Sequence, residues 1–147
     1  MMYFEDFEVG HKRVVGSVVV TREEIVEFAT RFDPQPFHID EEAARKSIFG
    51  ELTGSSCHTF ALSSVIHHQS PVEMALVANL GSDSLRFPAP LRPDDEITLT
   101  SECTELRVSK SRPELGIVTT RGLLTNQHDE TVMDMTTTFM IERRGAN

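Results

Sequence analysis

The chain predicts an α+β fold in which a long antiparallel sheet wraps one buried helix. A β-branched run opens it at residues 12–20, and helix signals crowd between residues 21 and 70. From Asn79 onward, long segments alternate in the manner of strands. At 147 residues, 39% apolar and 25% charged, the sequence suits one soluble globular domain, taken as 1–147.

Residues 12–20, K-R-V-V-G-S-V-V-V, predict the first strand. Thr21 with Glu24 fits a capping box, and Ile25, Phe28 and Ala29 share a face of the helix that follows. That helix should stop near Phe32, because Asp33 precedes a proline. Asp40 is placed to cap a short helix over Glu41–Ser47, with acids in its first turn and Arg45 and Lys46 in its last. Ser55 or Ser56 can cap a third helix, Cys57 to His68, ended by Ser70-Pro71. Phe60, Ala61, Leu62, Val65 and Ile66 make it apolar on more than one side, which predicts burial around most of its circumference.

Residues 79–87 alternate loosely, and Pro88, Pro90 and Pro93 mark a bend. Residues 95–108 turn Ile97, Leu99 and Cys103 one way, and 116–126 form another β-rich run. After a turn at His128-Asp129-Glu130, residues 131–142 put Met133, Met135, Phe139 and Ile141 on one face. Thr98, Thr100, Thr136 and Thr138 fall outward. Pairing with a second copy would protect the open sheet edges, so a homodimer is expected.

A formal charge of −9 with scattered basic residues excludes general nucleic-acid or anionic-membrane binding. The N-terminus lacks the basic and apolar regions of a signal peptide, and no apolar run approaches membrane-spanning length. Cys57 and Cys103 suggest no disulfide framework. A reducing cytoplasm is the expected compartment.

The segment F-D-P-Q-P-F-H-I-D, Phe32 to Asp40, holds a carboxylate (Asp33) and an imidazole (His38) five residues apart. Pro34 and Pro36 are expected to keep this backbone from being helical, as suits positioned proton-transfer groups. The plainer alternative is an Asp-Pro turn and a capping Asp, with His38 incidental. A second segment, F-G-E-L-T-G-S-S-C-H-T from Phe49 to Thr59, leads small residues into the apolar helix. Backbone N–H groups at that helix start could meet an oxyanion, or the serines could simply cap.

Together these segments resemble the MaoC-like acyl dehydratases, also called (R)-specific enoyl-CoA hydratases. Their motif runs aromatic or Gly, Asp, any residue, Asn, Pro, apolar, His, any residue, Asp, followed later by an A-S-G-x-H-T type segment. Phe32 to Asp40 and Gly54 to Thr59 match these in turn. Leu85 to Leu99 is similar to the family's proline-rich bend, and Ser109 to Val118 also looks like a segment many members carry. Gln35 stands where Asn is usual, Ser56 where Gly is usual, and Asp94 where the bend glycine is usual.

The resemblance implies a hotdog fold and reversible hydration of trans-2-enoyl thioesters to (R)-3-hydroxyacyl thioesters. Asp33 would act as general base on a water, and His38 would orient that water and relay a proton. N–H groups near Ser56 and Cys57 would stabilise the oxyanion. Ser55 would bond to the carboxylate or the loop, with Gln35 a possible orienting residue. Lys110 and Arg112 could meet coenzyme A phosphates. No metal or redox cofactor is implied, because coenzyme A or acyl-carrier pantetheine belongs to the substrate.

Other residues have plainer roles. His38-x-Asp40 lacks further ligands at metal-site spacing. His58 suits packing or capping, and His67-His68 suit a structural or exposed role. Cys57 lacks a nucleophile's His partner and is read as packing. Two rival functions are an acyl-CoA thioesterase and a non-catalytic thioester-binding subunit. The first usually needs a carboxylate on or near the central helix, and Cys57 to His68 carries none. The second would need neither Asp33 nor His38.

Overall fold

The computed structural model describes residues 1–145. After a 3-10 turn at Phe4–Asp6 come β1 (Lys12–Val19), α1 (Arg22–Phe32), α2 (Pro36–Ile39), α3 (Glu41–Arg45) and α4 (Ser56–Gln69). Strands β2 (Leu76–Arg86), β3 (Glu96–Val108), β4 (Leu115–Thr125) and β5 (Thr131–Glu142) follow. All five strands form one antiparallel sheet in the order β1-β3-β4-β5-β2. The last three strands make a meander, β1 joins the β3 side, and β2 forms the opposite edge. This is the α+β hotdog arrangement, a sheet curled about one helix.

Local chemistry sets the helix ends. At α1, Thr21 Oγ1 accepts from Glu24 N–H, while the Glu24 carboxylate accepts from Thr21 N–H. Asp40 caps α3 through Ala43 N–H at 2.7 Å. Ser55, rather than Ser56, caps α4. At the proline-rich bend Asp94 adopts φ 67°, the left-handed conformation that glycine would take without strain.

The core lies between α4 and the sheet, where Leu62 and Ile66 meet Ile97, Leu99, Leu124 and Met133. Gly16 on β1 makes this approach close. A Cβ built there would stand 3.2 Å from Ile66 Cγ2. A second cluster around Cys103, Val118, Phe139 and Ile141 is covered by Phe4 and Phe7.

Three expectations need correction. Residues 36–39 do form one helical turn: Pro36 occupies its first position, where a missing N–H costs nothing and the fixed φ already suits a helix. Helix α4 is not covered on most sides, since Phe60 and Val65 are 39% and 41% exposed in the protomer. Strand β2 starts at Leu76 rather than 79. Three register irregularities against β5 break the alternation that would have marked its start.

Candidate active site

Helix α1 ends at Phe32 and hands the chain to Asp33, whose φ of −155° turns it out of the helix. Gln35 N–H then donates to Asp33 O at 2.8 Å, and His38 N–H donates to Gln35 O at 2.9 Å. This backbone link brings the two side chains to one place: His38 Nε2 lies 3.7 Å from Asp33 Oδ2. That is too long for a direct hydrogen bond, but a water about 2.8 Å from both atoms fits beside it.

Each member of the pair has a second anchor. The buried His38 ring turns Nδ1 to the carbonyl of Thr53, 2.5 Å away. A carbonyl only accepts, so Nδ1 carries a proton and Nε2 is the ring nitrogen that faces Asp33. Ser55, fully buried, donates its hydroxyl to Asp33 Oδ2 at 2.7 Å. Ser55 Oγ also accepts from Cys57 N–H at 3.2 Å, so one side chain caps α4 and locates the carboxylate. Asp33 remains 27% exposed on its side chain, which leaves the pair open to water.

The start of α4 is fixed from below. Gly54 N–H donates to Leu91 O at 2.7 Å, and a Cβ at Gly54 would stand 2.7 Å from Leu91 Cδ2. Because Leu52 lies before the helix, Ser56 N–H has no carbonyl one turn back to bond, and among the described residues it stays an open donor. Of the two donors expected here, Cys57 N–H is already engaged by Ser55. The Cys57 thiol is exposed.

Sequence-chosen residues separate into two groups. Asp33, His38, Ser55, Ser56 and Cys57 gather at the tip of α4. The Gln35 side chain makes no hydrogen bond among the described residues, and its backbone rather than its amide ties the segment together. Lys110 and Arg112 lie on the turn between β3 and β4. His58 stacks on Phe28 with centroids 4.5 Å apart, and its Nδ1 has no hydrogen-bond partner among the described residues. Burial pushes its pKa down, opposed by the charge of Glu24. Thr53 and Leu91 went unchosen because each acts through a carbonyl, which no residue type signals.

A groove of about 610 Å³ runs along α4 from Phe60 to His68, between the helix and the sheet. Asp33 and His38 do not line it. It begins one helical turn beyond Ser56.

The model of the MaoC like domain matches residues 6–126. A MaoC-like dehydratase structure from Rhodospirillum rubrum superposes with a TM-score of 0.91 at 37% identity, covering 98% of this chain and 99% of that one. A 3-hydroxybutyryl-CoA dehydratase from Methylorubrum extorquens is 29% identical over 136 residues, 91% of this chain and 80% of its own length. An (R)-hydratase from Pseudomonas aeruginosa shares the fold, with a TM-score of 0.75 at 23% identity over 97% of this chain and 86% of that one. The matched segment takes in Asp33, His38 and the start of α4, and the chain belongs to the MaoC-like domain family.

Proposed function

We propose that the protein is a hydratase/dehydratase that adds water reversibly to trans-2-enoyl thioesters, giving (R)-3-hydroxyacyl thioesters. The observation that carries this reading is the Asp33–His38 pair, 3.7 Å apart beside the tip of α4.

A water between Oδ2 and Nε2 donates one hydrogen to each. Asp33 takes a proton as the water oxygen adds to the β-carbon of the enoyl group. His38, held by Thr53, keeps the attacking lone pair aimed, and the pair passes the proton to the α-carbon on the same face. Hydroxide at Cβ and a proton at Cα sum to one water. Negative charge on the thioester oxygen is met by Ser56 N–H and the positive end of α4. Addition of water changes no oxidation state overall, so the scheme uses no redox cofactor. Coenzyme A or an acyl-carrier pantetheine arm arrives with the substrate.

The working unit in this reading is a homodimer in the cytoplasm. Strand β2 is one edge of the sheet and exposes Val77 and Leu80, while α4 exposes Val65. Among the described residues no helix is long and apolar enough to cross a membrane.

The test is a panel of enoyl-CoA esters, short, long and branched, followed by loss of conjugated thioester absorbance. Hydration of at least one ester is expected. Release of free thiol without hydration would replace this reading with a thioesterase. Thermal stabilisation by the esters with no reaction would replace it with a binding subunit.

A further inference from the structure

Arg13 has no role in the scheme above, yet its surroundings are unusual. It sits on β1 opposite Ser101, and the same cross-strand row continues through Gly122 to Met135. Paired residues share a sheet face, so this row floors the groove beside α4. Its guanidinium is half-buried, and among the described residues its single side-chain hydrogen bond is to Met74 Sδ at 3.8 Å, a weak acceptor. Burial lowers its pKa and no neighbouring charge offsets that. Among the described residues no carboxylate stands within ion-pair distance. Asp6, which lines a small adjoining cavity with Arg13, is bound to Arg144 at 2.7 Å, and Glu8 and Glu73 are exposed.

A half-buried cation without a counter-ion is unfavourable unless a ligand supplies one. The groove around it is otherwise built for an apolar chain, with Phe60, Leu99, Met135 and Phe139 in its walls. Hydroxyls of Ser101, Thr120 and Thr137 and the ring of His67 lie near its cationic end. Along α4, His67 is eleven residues past Ser56, about 16 Å away, the reach of a medium-to-long acyl chain.

We propose that this groove holds the acyl chain of the thioester substrate and that Arg13 takes a carboxylate at the chain's far end, making ω-carboxylated enoyl thioesters the preferred substrates. The substrate assignment rests on the hydratase reading, but the carboxylate site does not.

Two measurements separate them. Titration calorimetry with decanoate, and with decanol as its neutral counterpart, probes the groove without any reaction. Decanoate should bind the wild type and Arg13→Lys, and bind Arg13→Met at least about tenfold more weakly, the loss expected for a charge-assisted hydrogen bond. Arg13→Met should also raise the melting temperature of the unliganded protein, because it removes an uncompensated cation, and a fall would mark Arg13 as structural. Equal binding to Arg13→Met, or decanol binding as well as decanoate, overturns the carboxylate site. So does a dimer that becomes monomeric in Arg13→Met, since a second copy would then hold the guanidinium. Second, hydration of ω-carboxyl and ω-methyl enoyl-CoA of equal length is compared. A wild-type preference for the acid that Arg13→Met loses supports the assignment, and equal turnover overturns it. Turnover of no ester by the wild type would sink the hydratase reading and leave the decanoate result standing.

Discussion

Replacing Ser55 with alanine tests how the site is held, because this one hydroxyl serves two partners. It donates to Asp33 Oδ2 at 2.7 Å and accepts from Cys57 N–H at 3.2 Å. Loss of a hydrogen bond to a charged acceptor costs about 1.5–3 kcal/mol, and the lower end applies because water can reach Asp33. Loss of a serine N-cap costs about 1 kcal/mol. The variant should therefore be roughly 2–3 kcal/mol less stable, a fall of about 5–12 °C in melting temperature for a domain of this size. Hydration should slow by about tenfold or more in kcat, since the carboxylate loses the group that locates it. Thermal unfolding and initial rates read both effects. A double-mutant cycle with Asp33→Ala isolates the shared bond, and a coupling of about 0.5–3 kcal/mol is expected. Strict additivity, or a variant as stable and active as the wild type, would refute this account of Ser55.

Three further substitutions follow from the same structure. Gly54→Ala should cost about 1–3 kcal/mol and depress activity, because the new methyl would press on Leu91, a 1% exposed core residue; denaturant unfolding measures this. His58 and His67 have pKa values lowered chiefly by burial, in His67 with Arg13 and His68 adding to it. Folded protein thus binds fewer protons than unfolded, so this stability is complete above about pH 6.5 and is lost as pH falls. His58→Phe keeps the stack on Phe28, and its melting temperature should fall less than the wild type's between about pH 7.5 and pH 5.5. Leu80→Glu on the edge strand should convert a dimer into a folded monomer, read by sedimentation.

Local chemistry made much of the fold legible. The Thr21–Glu24 box, the Asp40 cap and the alternation of 131–142 each depend on neighbours a few residues away, and each appears as expected. Readings failed where two local rules competed or where a distant partner decided. Pro36 reads as a helix breaker, although proline equally suits a first helical position, and the turn it starts carries His38 into place. The apolar circumference of α4 implied cover on most sides, but residue type alone does not say which of those sides the rest of the chain packs against, and Phe60 and Val65 stay exposed. Within the site, Asp33, His38 and Ser55 were legible by residue type and motif. The Thr53 carbonyl that sets the imidazole tautomer was not, because only folding brings it to His38. Lys110 and Arg112 fall on the β3–β4 turn, where their charge alone does not say what they meet.

The central claim is that Asp33 and His38 act on one water. Hydration of crotonyl-CoA, or of whichever ester the panel favours, by Asp33→Asn and by His38→Ala tests it most directly, with melting temperatures run alongside. Each variant should stay folded and lose about two orders of magnitude or more in kcat, the scale of positioned acid–base catalysis. A folded variant of either kind that turns over at the wild-type rate would contradict the assignment.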